Sequence, residues 1–209
     1  MTEVGMALGN PIDGPRVPGE VGIPFPDVQV KLISEDKADV TSQTNVSGQL
    51  LVRGPQVFKE YWGKQEATAE TFYNGTEWFK TGDIACRTER GTFKILGRAS
   101  VDIIKTGGYK VSALDVEREI LEHPLISDVA VVGVESEEWG QRIAAVVVLK
   151  DPKQSFTLDE LRKFLASRLS TYKSPTRLSI VEELPKNAMG KVNKKQLAKS
   201  LVSSIDIKQ

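Results

Sequence analysis

The chain has 209 residues, in which 28 lysines and arginines balance 28 aspartates and glutamates. That balance excludes the basic footprint of a nucleic-acid binder, and no apolar run is long enough to form a transmembrane segment. A single cysteine, Cys86, excludes an internal disulfide, and a single histidine leaves no Cys/His metal spacing; the composition is that of a soluble intracellular protein.

In chain order, the first half carries short strand signals at Val28 to Ile33, Gln49 to Arg53 and Thr92 to Leu96. These runs alternate apolar and polar residues and are separated by turn pairs such as Ser47-Gly48 and Arg90-Gly91. Lys64 to Phe72 has helical spacing and leads into Asn74-Gly75, a strong turn pair. The pattern changes near Ser100. Ser112 is placed to cap a helix over Ala113 to Glu122. His123, followed by Pro124, falls where that helix must stop, which predicts a structural role for the imidazole. Val129 to Val134 and Ile143 to Leu149 are continuous apolar runs, as expected for strands buried on at least one face. Thr157 is placed to cap an amphipathic helix over Leu158 to Leu169. Thr176 to Val181 reads as a last strand and Asn193 to Leu201 as a last helix, with Lys194-Lys195 on its solvated face. The expected fold is α+β. Residues 1–99 form a β-rich subdomain, and residues 100–209 form a small α/β domain with a mixed sheet and flanking helices.

Four segments carry residue types suited to chemistry. The chain opens Met1-Thr2-Glu3, and the Glu3 carboxylate is a hard oxygen ligand of the kind Mg²⁺ prefers. Trp78-Phe79-Lys80-Thr81-Gly82-Asp83 ends on a carboxylate that can accept from two hydroxyls at once. Taken alone, Thr81-Gly82-Asp83 reads first as turn chemistry, with the aspartate ending the turn. Gly97-Arg98-Ala99-Ser100-Val101-Asp102-Ile103-Ile104-Lys105-Thr106-Gly107-Gly108-Tyr109-Lys110-Val111 combines an arginine with a glycine pair that permits close backbone approach. Last, Pro185-Lys186-Asn187-Ala188-Met189-Gly190-Lys191-Val192 puts one ammonium at a loop tip just ahead of a helix. A cation so placed suits an anion met at one stage of a reaction.

Together, in this order, the four segments resemble the core motifs of the acyl- and aryl-CoA synthetases, the adenylate-forming enzymes. The resemblance covers Thr2 to about Leu201. It implies a carboxylate-plus-ATP reaction that gives acyl-AMP and pyrophosphate, followed by attack of CoA thiolate that releases AMP. By that resemblance Thr2, Asp83, Arg98 and Lys191 bind ATP or AMP, Glu3 binds Mg²⁺, and Lys191 is catalytic. Ser100 stands at the hinge position, where many relatives carry Asp or Lys. Gly107, Gly108 and Lys110 belong to the loop that lines the CoA channel. The small second domain is expected to swing between the two half-reactions, taking Lys191 out and bringing the glycine pair in.

Full-length members of the family are longer and carry their phosphate loop and acyl pocket upstream. No Gly-rich phosphate loop occurs in this chain. The expectation is therefore a C-terminal portion of a longer enzyme, with Met1 an internal methionine and little activity in isolation. The sequence looks most like malonyl-CoA synthetases of the mitochondrial eukaryotic branch. That implies malonate as the acid and a mitochondrial location, with a cytoplasmic one as the alternative. A medium-chain or other acyl-CoA synthetase, or a catalytically inactive binding module, is the other reading.

Overall fold

The computed structural model describes residues 1–203; residues 204–209 of the expected second domain lie outside the described residues. The chain divides into two compact units, Met1–Ala99 and Ser100–Gln209.

The first unit is a six-stranded sheet with all neighbours antiparallel. Its strands are β1 (Leu8–Gly9), β2 (Glu20–Pro24), β3 (Gln29–Ile33), β4 (Ser47–Arg53), β5 (Phe79–Arg87) and β6 (Phe93–Arg98), in the order β1-β2-β6-β5-β4-β3. The short helix α1 (Gln65–Thr71) matches the expected polar helical segment. Leu50 and Val52 of β4 join Leu32, Phe79, Ala85 and Phe93 in one apolar core, while Leu51 between them is also fully buried. Successive residues of a strand point to opposite faces, so burial of all three means that β4 is covered on both faces.

One sequence expectation is corrected here. Asp83 does not end a turn; it lies inside the nine-residue strand β5. The turn-like Thr81-Gly82-Asp83 is accommodated by irregularity within the ladder. Gly82 has φ +77°, and register shifts occur at Gln49/Leu51 against β4 and at Ile84/Ala85 against β6. A bulge lets glycine adopt a positive φ without ending the strand. The strands β1, β2 and β5 were not expected from the alternation of residues.

The second unit is built on a long hairpin, β9 (Ile126–Ser136) with β10 (Gly140–Leu149). On the other edge of β10, strand β11 (Arg177–Ile180) pairs in parallel along Ala144 to Val147. Strand β7 (Ile103–Thr106) meets β10 at Gly140 and pairs antiparallel with β8 (Tyr109–Ser112). The sheet is therefore mixed. Helices α2 (Ala113–Leu121) and α3 (Leu158–Leu165) contribute to one core, with Val131, Ile143, Ala145 and Val147. The alternate residues Ala130, Val132, Ala144 and Val146 form a second core with Leu184 and with Leu197 of α4 (Lys194–Ser203). The apolar runs are continuous because both faces of the sheet are covered.

Both expected N-caps are present. Ser112 Oγ accepts from Asp115 N at 3.1 Å. Thr157 forms a reciprocal capping box with Glu160, two orphan amides satisfied at one helix start. Helix α3 ends at Leu165 rather than Leu169. His123 follows α2; its Nδ1 accepts from Leu125 N, and its ring packs against Phe156 and Phe164. Burial lowers its pKa, as fits a neutral structural imidazole.

Candidate adenylate-binding and acyl-transfer sites

In the first unit the ladder itself brings two of the expected nucleotide residues together. Asp83 and Arg98 are register partners across β5 and β6. Arg98 Nε lies 2.9 Å from Asp83 Oδ1, and a terminal guanidinium nitrogen donates to Thr81 O at 2.8 Å. Thr81 is buried; its hydroxyl donates to Leu50 O at 2.8 Å and accepts from Asp83 N at 3.0 Å. The carboxylate thus stands on a strand held from both sides, beside a fixed cation. Sequence reasoning gave Thr81 no role; the only available signal was a β-branched hydroxyl two residues ahead of the key carboxylate.

Glu3 is engaged elsewhere in this unit. Its Oε1 accepts from the Tyr61 hydroxyl at 3.0 Å, and its carbonyl accepts from Phe58 N at 2.8 Å. Tyr61 rests against Phe58, and burial followed by the bond to Glu3 raises its phenol pKa. Tyr61, also unassigned from the sequence, holds the candidate Mg²⁺ ligand in place. Thr2 is exposed. A single carboxylate is consistent with Mg²⁺, which binds by one or two protein oxygens together with substrate phosphates. Among the described residues no cluster of three or more His, Cys, Asp or Glu forms a self-contained cation site.

In the second unit Ser100 is exposed at the first position. Gly107 and Gly108 form the tip of the β7–β8 hairpin with φ of +52° and +82°. Two successive positive φ values match the twist of a two-residue hairpin turn, which favours glycine at both positions. Gly107 N donates to Trp139 O at 3.0 Å, and a Cβ on Gly107 would lie 2.9 Å from the Trp139 ring. Around Gly108 nothing lies within 4 Å of an added Cβ, so space there is open. Lys110 is exposed just beyond the turn.

Lys191 sits in a tight loop closed by an antiparallel bridge between Lys186 and Val192. Inside it, Asn187 Oδ1 accepts from Met189 N at 3.0 Å and from Lys191 N at 2.9 Å, while Gly190 has φ +75°. Asn187 and Gly190 therefore shape the loop, and the Lys191 side chain is exposed. At its base, Asn193 Oδ1 accepts from Gln196 N at 3.2 Å and caps α4.

Lys194 corrects a second expectation. Lys195 is exposed, but Lys194 does not lie on a solvated face. Its ammonium is 2.5 Å from Asp102 Oδ1 and 2.7 Å from Glu117 Oε1, with side-chain exposures of 12%, 10% and 17% for the three residues. Glu117 Oε1 also accepts from Val131 N at 2.7 Å. Burial raises the Glu117 pKa, against the lowering effect of Lys194.

Residues 1–62 match the family described as AMP-binding enzyme, and residues 115–191 match the AMP-binding enzyme C-terminal domain. The chain belongs to the adenylate-forming superfamily. Among its relatives, the mitochondrial malonate–CoA ligase ACSF3 of Xenopus laevis is 50% identical across 94% of this chain and 37% of its own length. The long-chain-fatty-acid–CoA ligase of Escherichia coli O157:H7 is 36% identical across 95% of this chain and 34% of its own length. The crystal structure of ATP-bound MatB from Rhodopseudomonas palustris matches with a TM-score of 0.83 at 36% identity, covering 96% of this chain and 39% of that one. The chain thus spans well under half the length of the relatives it matches. Among the described residues no helix is long and apolar enough to cross a membrane.

Proposed function

We propose that this chain supplies the hinge, nucleotide-positioning and lysine-loop portions of an ATP-dependent acid–CoA ligase, with malonate as the acid. The supporting observation is the 50% identity, across 94% of the chain, to a malonate–CoA ligase. By the same likeness the setting is mitochondrial.

In the first half-reaction a malonate carboxylate oxygen attacks the α-phosphorus of ATP, a phosphorus–oxygen bond forms, and pyrophosphate departs. Asp83 accepts the ribose hydroxyls, held in place by Arg98 and Thr81. Glu3, held by Tyr61, is the residue for Mg²⁺, which when bound neutralises phosphate charge. Thr2 adds a hydroxyl for the phosphates. Lys191 brings its ammonium to the carboxylate and α-phosphate, where repulsion between two anions is the barrier. In the second half-reaction the CoA thiolate attacks the acyl carbon, a carbon–sulfur bond forms, and AMP leaves with the bonding electrons. Rotation about Ser100 removes Lys191 and presents Gly107-Gly108 and Lys110 to the pantetheine arm. The need for rotation is steric: one pocket cannot hold both the lysine loop and the thiol channel.

The test is a fusion in which residues 1–209 replace the matching portion of Rhodopseudomonas palustris MatB. Malonate-dependent AMP release that requires both ATP and CoA is the expected result. The fusion tests the ligase reading; the acid itself is read on a longer protein that carries this chain with its own acyl pocket, where AMP release with octanoate and none with malonate would favour the fatty-acid reading, which the 36% identity to a fatty-acid ligase supports. The unfused chain is expected to catalyse no pyrophosphate exchange, since no Gly-rich phosphate loop occurs in its 209 residues.

A further inference from the structure

Lys194 is a deeply engaged cation at the base of the lysine loop, with a side-chain exposure of 12%, and α4 has other anchors. That helix is already attached by Leu197, which packs with Ala130, Val132 and Val146, and is already capped by Asn193. A buried ion cluster is a poor means of adding stability. Desolvating the charges costs several kcal/mol per ion, and apolar replacements are often as stable. What such a cluster does well is fix one arrangement among near-equivalents.

The three members come from three places. Asp102 follows Ser100 by two residues, and its carbonyl accepts from Ala113 N at 2.7 Å, the first residue of α2. Glu117 is inside α2 and is tied to β9 through Val131 N. Lys194 is the first residue of α4, three positions after Lys191. We propose that Lys194 is a positioning residue for Lys191: clamped by Asp102 and Glu117, it locks the first turn of α4 and the base of the lysine loop to the segment that follows Ser100. A rotation about Ser100 carries Asp102 directly. Through the clamp it carries the support of Lys191 as well, so the loop arrives preset instead of sliding on an apolar surface. This assignment rests on the acid–CoA ligase reading for its chemistry, but its structural content stands apart from it.

The decisive variant keeps the volume and removes all three charges: Lys194→Met with Asp102→Asn and Glu117→Gln. Lys194→Met alone takes this ammonium away from Asp102 and Glu117 and is the variant at risk of unfolding. In the 209-residue chain, amide exchange of residues 187 to 191 is expected to accelerate about tenfold or more in the triple variant, with β9 and β10 amides within about twofold of wild type. Lys194→Arg keeps the cation and is expected to retain most of the loop protection. In the MatB fusion, the triple variant is expected to lose about tenfold in pyrophosphate exchange while thioester formation from supplied malonyl-AMP and CoA stays within about twofold. Unchanged loop exchange in a folded triple variant would overturn the proposal. So would equal loss in both half-reactions, or loss of β9–β10 protection, since the clamp would then be ordinary core structure. A wild-type fusion with no malonate-dependent AMP release would sink the ligase reading, while the exchange measurement would still decide the clamp.

Discussion

Asp83 and Arg98 face each other across adjacent antiparallel strands, with Arg98 Nε 2.9 Å from an Asp83 carboxylate oxygen. The pair is preorganised by the ladder, so the proposed nucleotide site offers a carboxylate and a guanidinium already set at a fixed separation. Hydrogen bonds to a charged acceptor contribute about 1.5–3 kcal/mol each. Asp83→Ala in the MatB fusion is therefore expected to raise the KM for ATP by at least about tenfold. The strands should remain intact, because Arg98 keeps its bond to Thr81 O. An unchanged KM would remove Asp83 from the nucleotide site.

Thr81 gives a prediction about support. Its buried hydroxyl serves Leu50 O and Asp83 N at once. Thr81→Val conserves shape but leaves a carbonyl and an amide without that partner, at a cost of about 1–3 kcal/mol. Hydrogen exchange at Asp83 should speed up roughly five- to a hundredfold, and the KM for ATP should rise less than in Asp83→Ala. Exchange at Asp83 equal to wild type would mean that the hydroxyl is dispensable.

Much of the second unit was legible in the sequence because its signals are local. Ser112 and Thr157 each stand one residue before an amphipathic run, and the apolar stretches of β9 and β10 announce two covered faces. Strand β5 was hidden by Gly82, whose turn chemistry is real but is absorbed by a bulge. Lys194 was misread for a related reason. An adjacent Lys-Lys pair in a short helix looks solvated, and the carboxylates that bury Lys194 lie 92 residues away at Asp102 and in another helix at Glu117. Neither partner leaves a local trace around Lys194. The Asp83–Arg98 pairing likewise depends on a register that no alternation of residues specifies.

The Glu117 environment makes a signed pH prediction. Burial already raises its folded-state pKa, and Lys194 holds that rise in check; the other groups acting on it are Asp102 and the Val131 amide. Lys194→Met removes the check, so the folded pKa moves further up. A carboxylate raised on folding contributes stability that is fully present below its unfolded value and lost as pH climbs through the folded value. The difference in melting temperature between wild type and Lys194→Met should therefore be larger at pH 8 than at pH 5. A difference independent of pH would show that Glu117 does not titrate with the clamp.

The lysine loop and the glycine hairpin should separate the two half-reactions. The Lys191 ammonium is exposed on a loop shaped by Asn187 and Gly190, so its removal disturbs no packing. Lys191→Ala in the fusion is expected to slow pyrophosphate exchange at least about a hundredfold, the scale for losing one preorganised charge stabiliser. That corresponds to roughly 2.7 kcal/mol of barrier. Thioester formation from supplied malonyl-AMP and CoA should be nearly untouched. Gly108→Leu should do the reverse. Its Cβ meets nothing within 4 Å, so the hairpin has room for the side chain. The cost arises instead from φ +82°, which leucine rarely adopts, and from bulk projected into the proposed pantetheine channel. Both variants are assayed for each half-reaction separately. If Lys191→Ala damaged the two equally, Lys191 would be a structural anchor and the alternation of loops would be wrong.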